Sequence, residues 1–496
     1  SGRDVGIYID GRPYKMSLFG CAVTHALPFD NVERVEVLRG PQSVLYGSDA
    51  FGGAVNIITR KASKSFEGGA LASYGSDNTR NTRLSGGGIN GRLDYYVTAD
   101  QRSSDGHLPR SRYDAQDYST HLGYVLNGES ELILNAKYFK GKKHEPLPAA
   151  TIWNDYERGA EDLTYNLNAG IFRSSLKAYR DQGDHVFSDG FHSKDHTDGM
   201  MLFSKAAVSG SNTLGFGADA RYQYADAINM SPAFMEGEYH KYEYGLHVDD
   251  EQRLFDRLTL SAGARYNHDQ LSGDAWTPQA GAVLDVRDGT ALRADWSKGF
   301  RAPQLNDLYL WGGNKDLKPE RMTSRETGIR QRLSDKVFLD VSYFLMDGRD
   351  IIQTVNYKKR NSGAFTFRGV ESMLTAGISD ELSGQVNYTW FDPGGNTQGR
   401  PGDKASAALK YARGRLDASL TGTYVGRYYA GNDSTRRLSN YATLDAKAGC
   451  KINERFSVFA AVDNVTGTAY HVYESNNGAV FRMPGRTYTA GVNYTF

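Results

Sequence analysis

The chain has 496 residues, with 58 basic and 58 acidic side chains, 55 Gly, 32 Tyr and 22 Phe, and a mean hydropathy of −0.56. No run approaches the roughly 18 consecutive apolar residues of a membrane helix, and the balanced charge lacks the concentrated basic face that nucleic-acid binding requires. Two cysteines, Cys21 and Cys450, do not make a disulfide framework, and their separation in the sequence leaves pairing undecided. No secretory leader is recognisable, so the chain reads as mature or trimmed material.

In chain order, Gly6–Gly11 (GIYIDG) reads as a strand ending in an Asp-Gly turn. A short loop, 14–25, follows and carries Met16, Phe19, Cys21 and His25. The stretch 31–59 is rich in glycine, which serves tight turns and close backbone approach. It is no phosphate loop, because no GKS or GKT follows its glycines.

From about Ser63 the sequence cycles between two kinds of break. Short turn signals stand at 90–91, 127–128, 209–211, 288–289, 334–335, 379–380 and 453–454. Longer polar breaks cover 105–118, 145–162, 189–199, 229–240, 311–321, 356–364, 393–403, 431–437 and 475–484. Alternating runs such as 258–266 (LTLSAGARY) and 337–344 (VFLDVSYF) lie between them. Short turns on one side and long loops on the other are the asymmetry of an outer-membrane barrel. The last strand agrees: Tyr488, Ala490, Val492, Tyr494 and Phe496 share one face, and the polypeptide ends on an aromatic. Low mean hydropathy does not oppose this, since only alternate residues face lipid. Counting runs predicts an all-β fold with about 22 antiparallel strands over 63–496, a size associated with a filled lumen. The first 62 residues, too few for a large core of their own, are expected inside it. Closure should pair 486–496 with a strand near 66–76, because an open edge cannot face lipid. The loops are short for a barrel of this size, which suits a small ligand.

The run Asn31–Thr59 (NVERVEVLRGPQSVLYGSDAFGGAVNIIT) resembles the plug domain of TonB-dependent outer-membrane receptors. Further pieces similar to that family are Phe300–Pro303 (FRAP) with Asp307–Tyr309 (DLY), Gly313–Glu320, Glu326–Gly328, Arg368–Glu371, Val462–Val465 and Pro484–Arg486. The resemblance implies a plug at 1–62, a transmembrane barrel at 63–496, residence in the bacterial outer membrane, and active import of a small metal-containing ligand. It also implies an energising inner-membrane complex that pulls on a segment at the front of the plug. Family plugs are roughly twice this long, so the cellular protein is expected to extend several dozen residues ahead of residue 1. Surrounding lipid and lipopolysaccharide, a monomeric state and no intrinsic cofactor complete the expectation. No HExxH, GxSxG or CxxC signals an enzyme, and an open porin would have no use for a plug.

The ligand is less legible. Haem receptors of the family place a histidine in the region between Phe300 and Leu317, and none stands there. The segments 46–59, 74–77 and 485–496 are similar to cobalamin receptors and in part to siderophore receptors, which makes a corrinoid or ferric siderophore the leading expectation. Calcium orders some cobalamin receptors, and Asp181, Asp184, Asp189, Asp195 and Asp198 are oxygen ligands of the right kind. Copper is the alternative: Met16, Met200, Met201, Met230, Met235, Met322 and Met483 fall in the plug or in expected loops, and Met16 and Cys21 could offer soft sulfur. The expected ligand surface is Met16, Phe19, Cys21 and His25, exposed to the outer funnel, with Met230, Met235, Tyr309 and Trp311 from the barrel. The resemblance further implies a latch between plug Arg39 and barrel Glu326 and Glu371.

Overall fold

The structure is a computed structural model that describes residues 4–27, 31–146, 152–229, 237–474 and 480–496. Twenty-two antiparallel strands close into one barrel. The first, Glu67–Gly75, pairs with the last, Thr487–Thr495, through registers such as Ala72 with Val492. Closure gives every barrel strand a neighbour on both sides, which is the condition for strands to cross a membrane. No helix among the described residues is long and apolar enough to cross. The terminal alternation behaves as the sequence predicts: Tyr488, Val492, Tyr494 and Phe496 are exposed on the outer wall, and Phe496 packs on Phe66 with ring centroids 5.4 Å apart.

Inside the barrel lies a small sheet of four strands in the order β2-β1-β4-β3, namely β1 (Gly6–Ile9), β2 (Arg12–Pro13), β3 (Val32–Arg39) and β4 (Gly53–Thr59). β1 runs parallel to β4, which runs antiparallel to β3. Gly53 makes the close approach possible: at φ +146°, an added Cβ would stand 2.7 Å from the Leu38 carbonyl oxygen. The plug sheet ends at Thr59 and the first barrel strand begins at Glu67.

The strands are longer than a bilayer needs. Phe191–Ser209, Val337–Val355 and Lys358–Gly377 span 19, 19 and 20 residues, against about 9–11 for a membrane crossing. Several expected loops are therefore strand. Segment 189–199 is mostly the start of Phe191–Ser209, residues 152–162 belong to Ile152–Ala169, and 358–364 belongs to Lys358–Gly377. Polar residues on both faces conceal these extensions, because above the membrane the outer face meets water and the inner face meets a polar plug. Met200 and Met201 are strand residues rather than loop ligands, one exposed on the outer wall and one buried.

The wall assignment predicts the effect of charge. Leu246 is 56% exposed on strand Gly237–Leu254. Leu246→Arg should destabilise the barrel by up to about 2–4 kcal/mol, the value for a cation near the bilayer midplane, as read from reversible denaturant unfolding in lipid.

Candidate functional site

The plug apex is the turn 16–21. The Met16 N–H donates to the Cys21 carbonyl at 3.0 Å and the Gly20 N–H to the Met16 carbonyl at 2.8 Å. Gly20 is required here: its φ is +66°, and a Cβ would come within 2.4 Å of the Gln304 side chain. The turn is held by the barrel on two sides. Ser17 Oγ lies 2.7 Å from Thr197 Oγ1 and 2.9 Å from the His196 carbonyl oxygen. The Leu18 N–H donates to Asp195 at 3.3 Å, and the Leu18 carbonyl accepts from the Asn306 N–H at 3.0 Å. Asn306 lies in the short helix Leu305–Tyr309, whose start is tied by the Gln304 N–H donating to Asp307 Oδ2 at 3.3 Å.

This clamp gathers an aromatic surface at the mouth. The Phe19 ring lies parallel to Trp311, centroids 5.7 Å apart, and edge-on to Phe187 and Phe191 at 6.4 and 6.0 Å. Tyr239 stacks on Tyr309 at 4.5 Å, with the Lys315 ammonium 5.1 Å from the Tyr309 ring centre. Trp311 is 44% exposed and sits at φ +47°. A bulky residue rarely adopts that backbone, and such strain persists where the surroundings impose it, often at a ligand site.

The expected site residues divide accordingly. Phe19, Tyr309 and Trp311 come together. Met16 does not face the funnel: it is 6% exposed and packs in an apolar cluster with Tyr14, Val23, Phe139 and Tyr156, against which Cys21 also rests. Burial of an unbranched thioether in an irregular gap is ordinary core packing, and it withdraws the Met16 sulfur from an incoming ion. His25 is enclosed rather than exposed, its ring 4.8 Å from Tyr156 and 5.9 Å from Phe139. Burial first, then Lys143 and Arg102, lower its pKa to about 4. Met230 and Met235 lie outside the described residues. Cys21 and Cys450 are not joined in a disulfide.

The aspartates expected to hold calcium do not converge. Asp181 and Asp195 point into the lumen, where Arg12 and Arg158 meet Asp181 and Arg158 stands 3.7 Å from Asp195. Asp184 and Asp198, on the opposite face of the same strands, pair with His192 and with Arg180. Asp189 accepts the Phe191 N–H. The alternation of a strand sends such neighbours to opposite sides, whereas a loop could have wrapped them around one ion. Among the described residues no cluster of His, Cys, Asp and Glu suits a metal.

Arg39 does bond barrel Glu371. Glu326 instead stands 3.5 Å from Arg293, so the expected latch uses one glutamate rather than two. Arg39 is largely exposed, and exposed pairs contribute only about 0–1 kcal/mol. The stronger plug–barrel tie lies deeper and involves other residues. Plug Arg12 bonds Asp181 at 2.5 Å. Plug Asp49 joins Lys15 at 2.6 Å and barrel Arg221 at 2.5 Å. The chain continues through Glu243 to Lys241, which reaches Asp269 at 2.9 Å and the Pro303 carbonyl at 2.9 Å. Burial pushes the Asp49 carboxyl up, but Arg221 and Lys15 outweigh it and hold the group below its usual range. A faint signal lay in the barrel strands, where Arg221 and Gln223, and Lys241 and Glu243, alternate with tyrosines. Two of the motif segments also interlock: plug Ser43 and Ser48 accept the N–H groups of Phe300 and Ala302 at 3.3 and 3.2 Å.

Residues 59–465 match the model of the TonB-dependent receptor-like β-barrel, and residues 1–54 match that of the TonB-dependent receptor plug domain. The chain belongs to the TonB-dependent receptors. The receptor is 27% identical to the vitamin B12 transporter BtuB of Vibrio vulnificus strain YJ016, an alignment covering all of this chain and 85% of that one. It is 26% identical to an iron-regulated outer membrane virulence protein of Vibrio cholerae, across 75% of this chain and 65% of the other. The siderophore receptor PirA of Acinetobacter baumannii has the same fold, with a TM-score of 0.86 at 17% identity over 100% of this chain and 91% of that one. The receptor is an outer-membrane protein.

Two outcomes test the seam and the apex. Asp49→Asn should loosen plug docking by about 3–5 kcal/mol, because it leaves buried cations unmatched, while Arg39→Gln should change it by less than about 1 kcal/mol; hydrogen exchange of β1 and β4 reads the difference. His25 should remain neutral from pH 8 to pH 5. Its folded pKa is depressed, so its contribution to docking is complete above the unfolded value near 6.5 and is lost as pH falls toward 4. An NMR titration of the ring in wild type and His25→Gln checks both the midpoint and the pH window.

Proposed function

We propose that the receptor binds a rigid metal complex at the aromatic mouth and imports it, with a corrinoid first and a ferric siderophore second. The observation that carries this reading is the Phe19–Trp311 stack, in which a plug ring and a half-exposed barrel ring present flat area above the turn 16–21. Aromatic faces give large, rigid, apolar contact at little entropic cost. A ligand resting there touches plug and barrel together, so its arrival can be felt by the Leu18–Asn306 clamp. The alignment with a vitamin B12 transporter over the whole chain favours the corrinoid, and the likeness to iron-regulated and siderophore receptors supports the second class.

The family works with TonB, and release of the plug by that complex must overcome the buried seam from Arg12 to Lys241. We also propose that the receptor acts as a monomer, with no resident cofactor, and transports without covalent chemistry. A copper reading has less support, because Met16 is packed away from the mouth.

Purified receptor should quench its tryptophan fluorescence on titration with cyanocobalamin, with a Kd below micromolar. Trp311→Ala should weaken that binding about 30-fold, as expected for a central aromatic hot spot. Tight binding of a ferric tris-catecholate instead selects the siderophore class. Binding of Cu(I) alone, or of none of the three, defeats the proposal.

A further inference from the structure

On the outer wall, the strand Gly273–Arg287 pairs with Thr290–Arg301 only as far as Gln279 and Ser297. The next position is Pro278, which has no N–H to continue a ladder. Beyond it the two strands part, although each keeps its other neighbour: Gly273 still pairs with Asp269, and Arg301 with Glu320. The parting leaves a cleft of about 530 Å³. Trp276 forms one side, and Lys298, Arg321 and Arg349 reach it from three successive strands.

The charges in this cleft are arranged against ordinary sheet stability. Arg321 and Arg349 are directly opposite cross-strand partners, a like-charge pairing that costs stability. Neither of them, nor Lys298, makes an ion pair among the described residues; the Lys298 ammonium instead lies 5.8 Å from the centre of the Trp296 ring. The carboxylates nearby are mostly spent. Asp347 is bonded by Arg325 at 3.0 Å and Asp274 by His268 at 2.7 Å, which leaves Asp350 at the rim. The cleft therefore carries net positive charge.

Its height on the wall identifies the occupant. The outward row Ala282, Ala294, Thr327, Tyr343 is largely apolar or aromatic. One row higher is Trp296, one more brings Lys298, and the next brings Arg321 and Arg349. Aromatic residues on a barrel wall mark the membrane interface, so these cations stand at or just above headgroup level. Basic pockets at that depth recognise phosphorylated headgroups, and arginine forks suit phosphate oxygens. We propose that this cleft is a specific site for the phosphorylated headgroup of an outer-leaflet lipid, with Lys298, Arg321 and Arg349 holding the phosphate and Trp276 flanking the sugar or glycerol.

The test uses the detergent-purified receptor, native mass spectrometry and bis-phosphorylated lipid A as probe, with the dephosphorylated lipid and inorganic phosphate as separate arms. Wild type should retain lipid A and lose the preference when the phosphates are absent. The triple variant Lys298→Gln, Arg321→Gln, Arg349→Gln should bind at least about tenfold more weakly, since each charged hydrogen bond alone carries about that factor. The control Lys410→Gln, Arg413→Gln, exposed elsewhere on the barrel, should bind as wild type. A heat-dependent gel shift verifies that each variant is folded. As a measurement on unsubstituted protein, lipid A should protect Arg321 and Arg349, but not Arg413, from phenylglyoxal. Equal binding by the triple variant, equal binding of the dephosphorylated lipid, displacement by millimolar inorganic phosphate, or absence of protection overturns the proposal.

Discussion

Backbone hydrogen bonding in lipid is the constraint from which the rest of this structure follows. A strand exposed to hydrocarbon cannot leave N–H and C=O groups unpaired, so the sheet must close, and here it closes through Thr487–Thr495 on Glu67–Gly75. Closure of 22 strands creates a lumen too wide for side chains alone to fill. The plug is thus a consequence of the barrel's size, and its surface must match a wall whose inward positions are polar. That requirement explains why arginine, lysine, aspartate and glutamate are buried here at exposures usually reserved for aliphatic residues.

Burying charge is costly unless every partner is supplied. The seam from Arg12 through Asp181 and Arg158, and from Lys15 through Asp49, Arg221, Glu243 and Lys241 to Pro303, supplies them in sequence. Such a seam fixes orientation more than it adds net stability. It also differs from a hydrophobic interface in the way it can come apart. Once a pull admits water, each ion is resolvated, so the polar contact is strong when dry and forgiving when wet. An import gate needs that combination, and the peripheral Arg39–Glu371 pair, already solvated, adds little to it.

The mouth shows how backbone and rings cooperate. Gly20 lets the apex turn lie against Gln304, Leu18 bonds Asn306, and these contacts bring Phe19 beneath Trp311. The FRAP segment does double duty: Phe300 and Ala302 bond plug serines, and the helix that follows clamps the apex. The two segments that stood out in the sequence are therefore two halves of one joint.

The sequence by itself determined the class, the strand number, the closing pair and the plug, because alternation with period two and the dense 31–59 run are local properties of the chain. It singled out Phe19, Tyr309 and Trp311 for the same reason, since aromatics in a short plug loop and in the region after FRAP are conspicuous, and the fold brings Phe19 against Trp311. Tertiary structure alone decided the fate of Met16, His25 and the aspartates. A methionine reads the same whether a wall 140 residues away covers it or not, and only assembly puts Phe139 and Tyr156 against that loop. The aspartates at 181–198 look like one acidic loop until strand pairing sends Asp181 and Asp195 inward and Asp184 and Asp198 outward. Glu326 and Glu371 are indistinguishable as isolated glutamates, yet Arg293 lies beside only one of them. Face, partner and depth are set by register between strands far apart in the chain, and register is not written in any one segment.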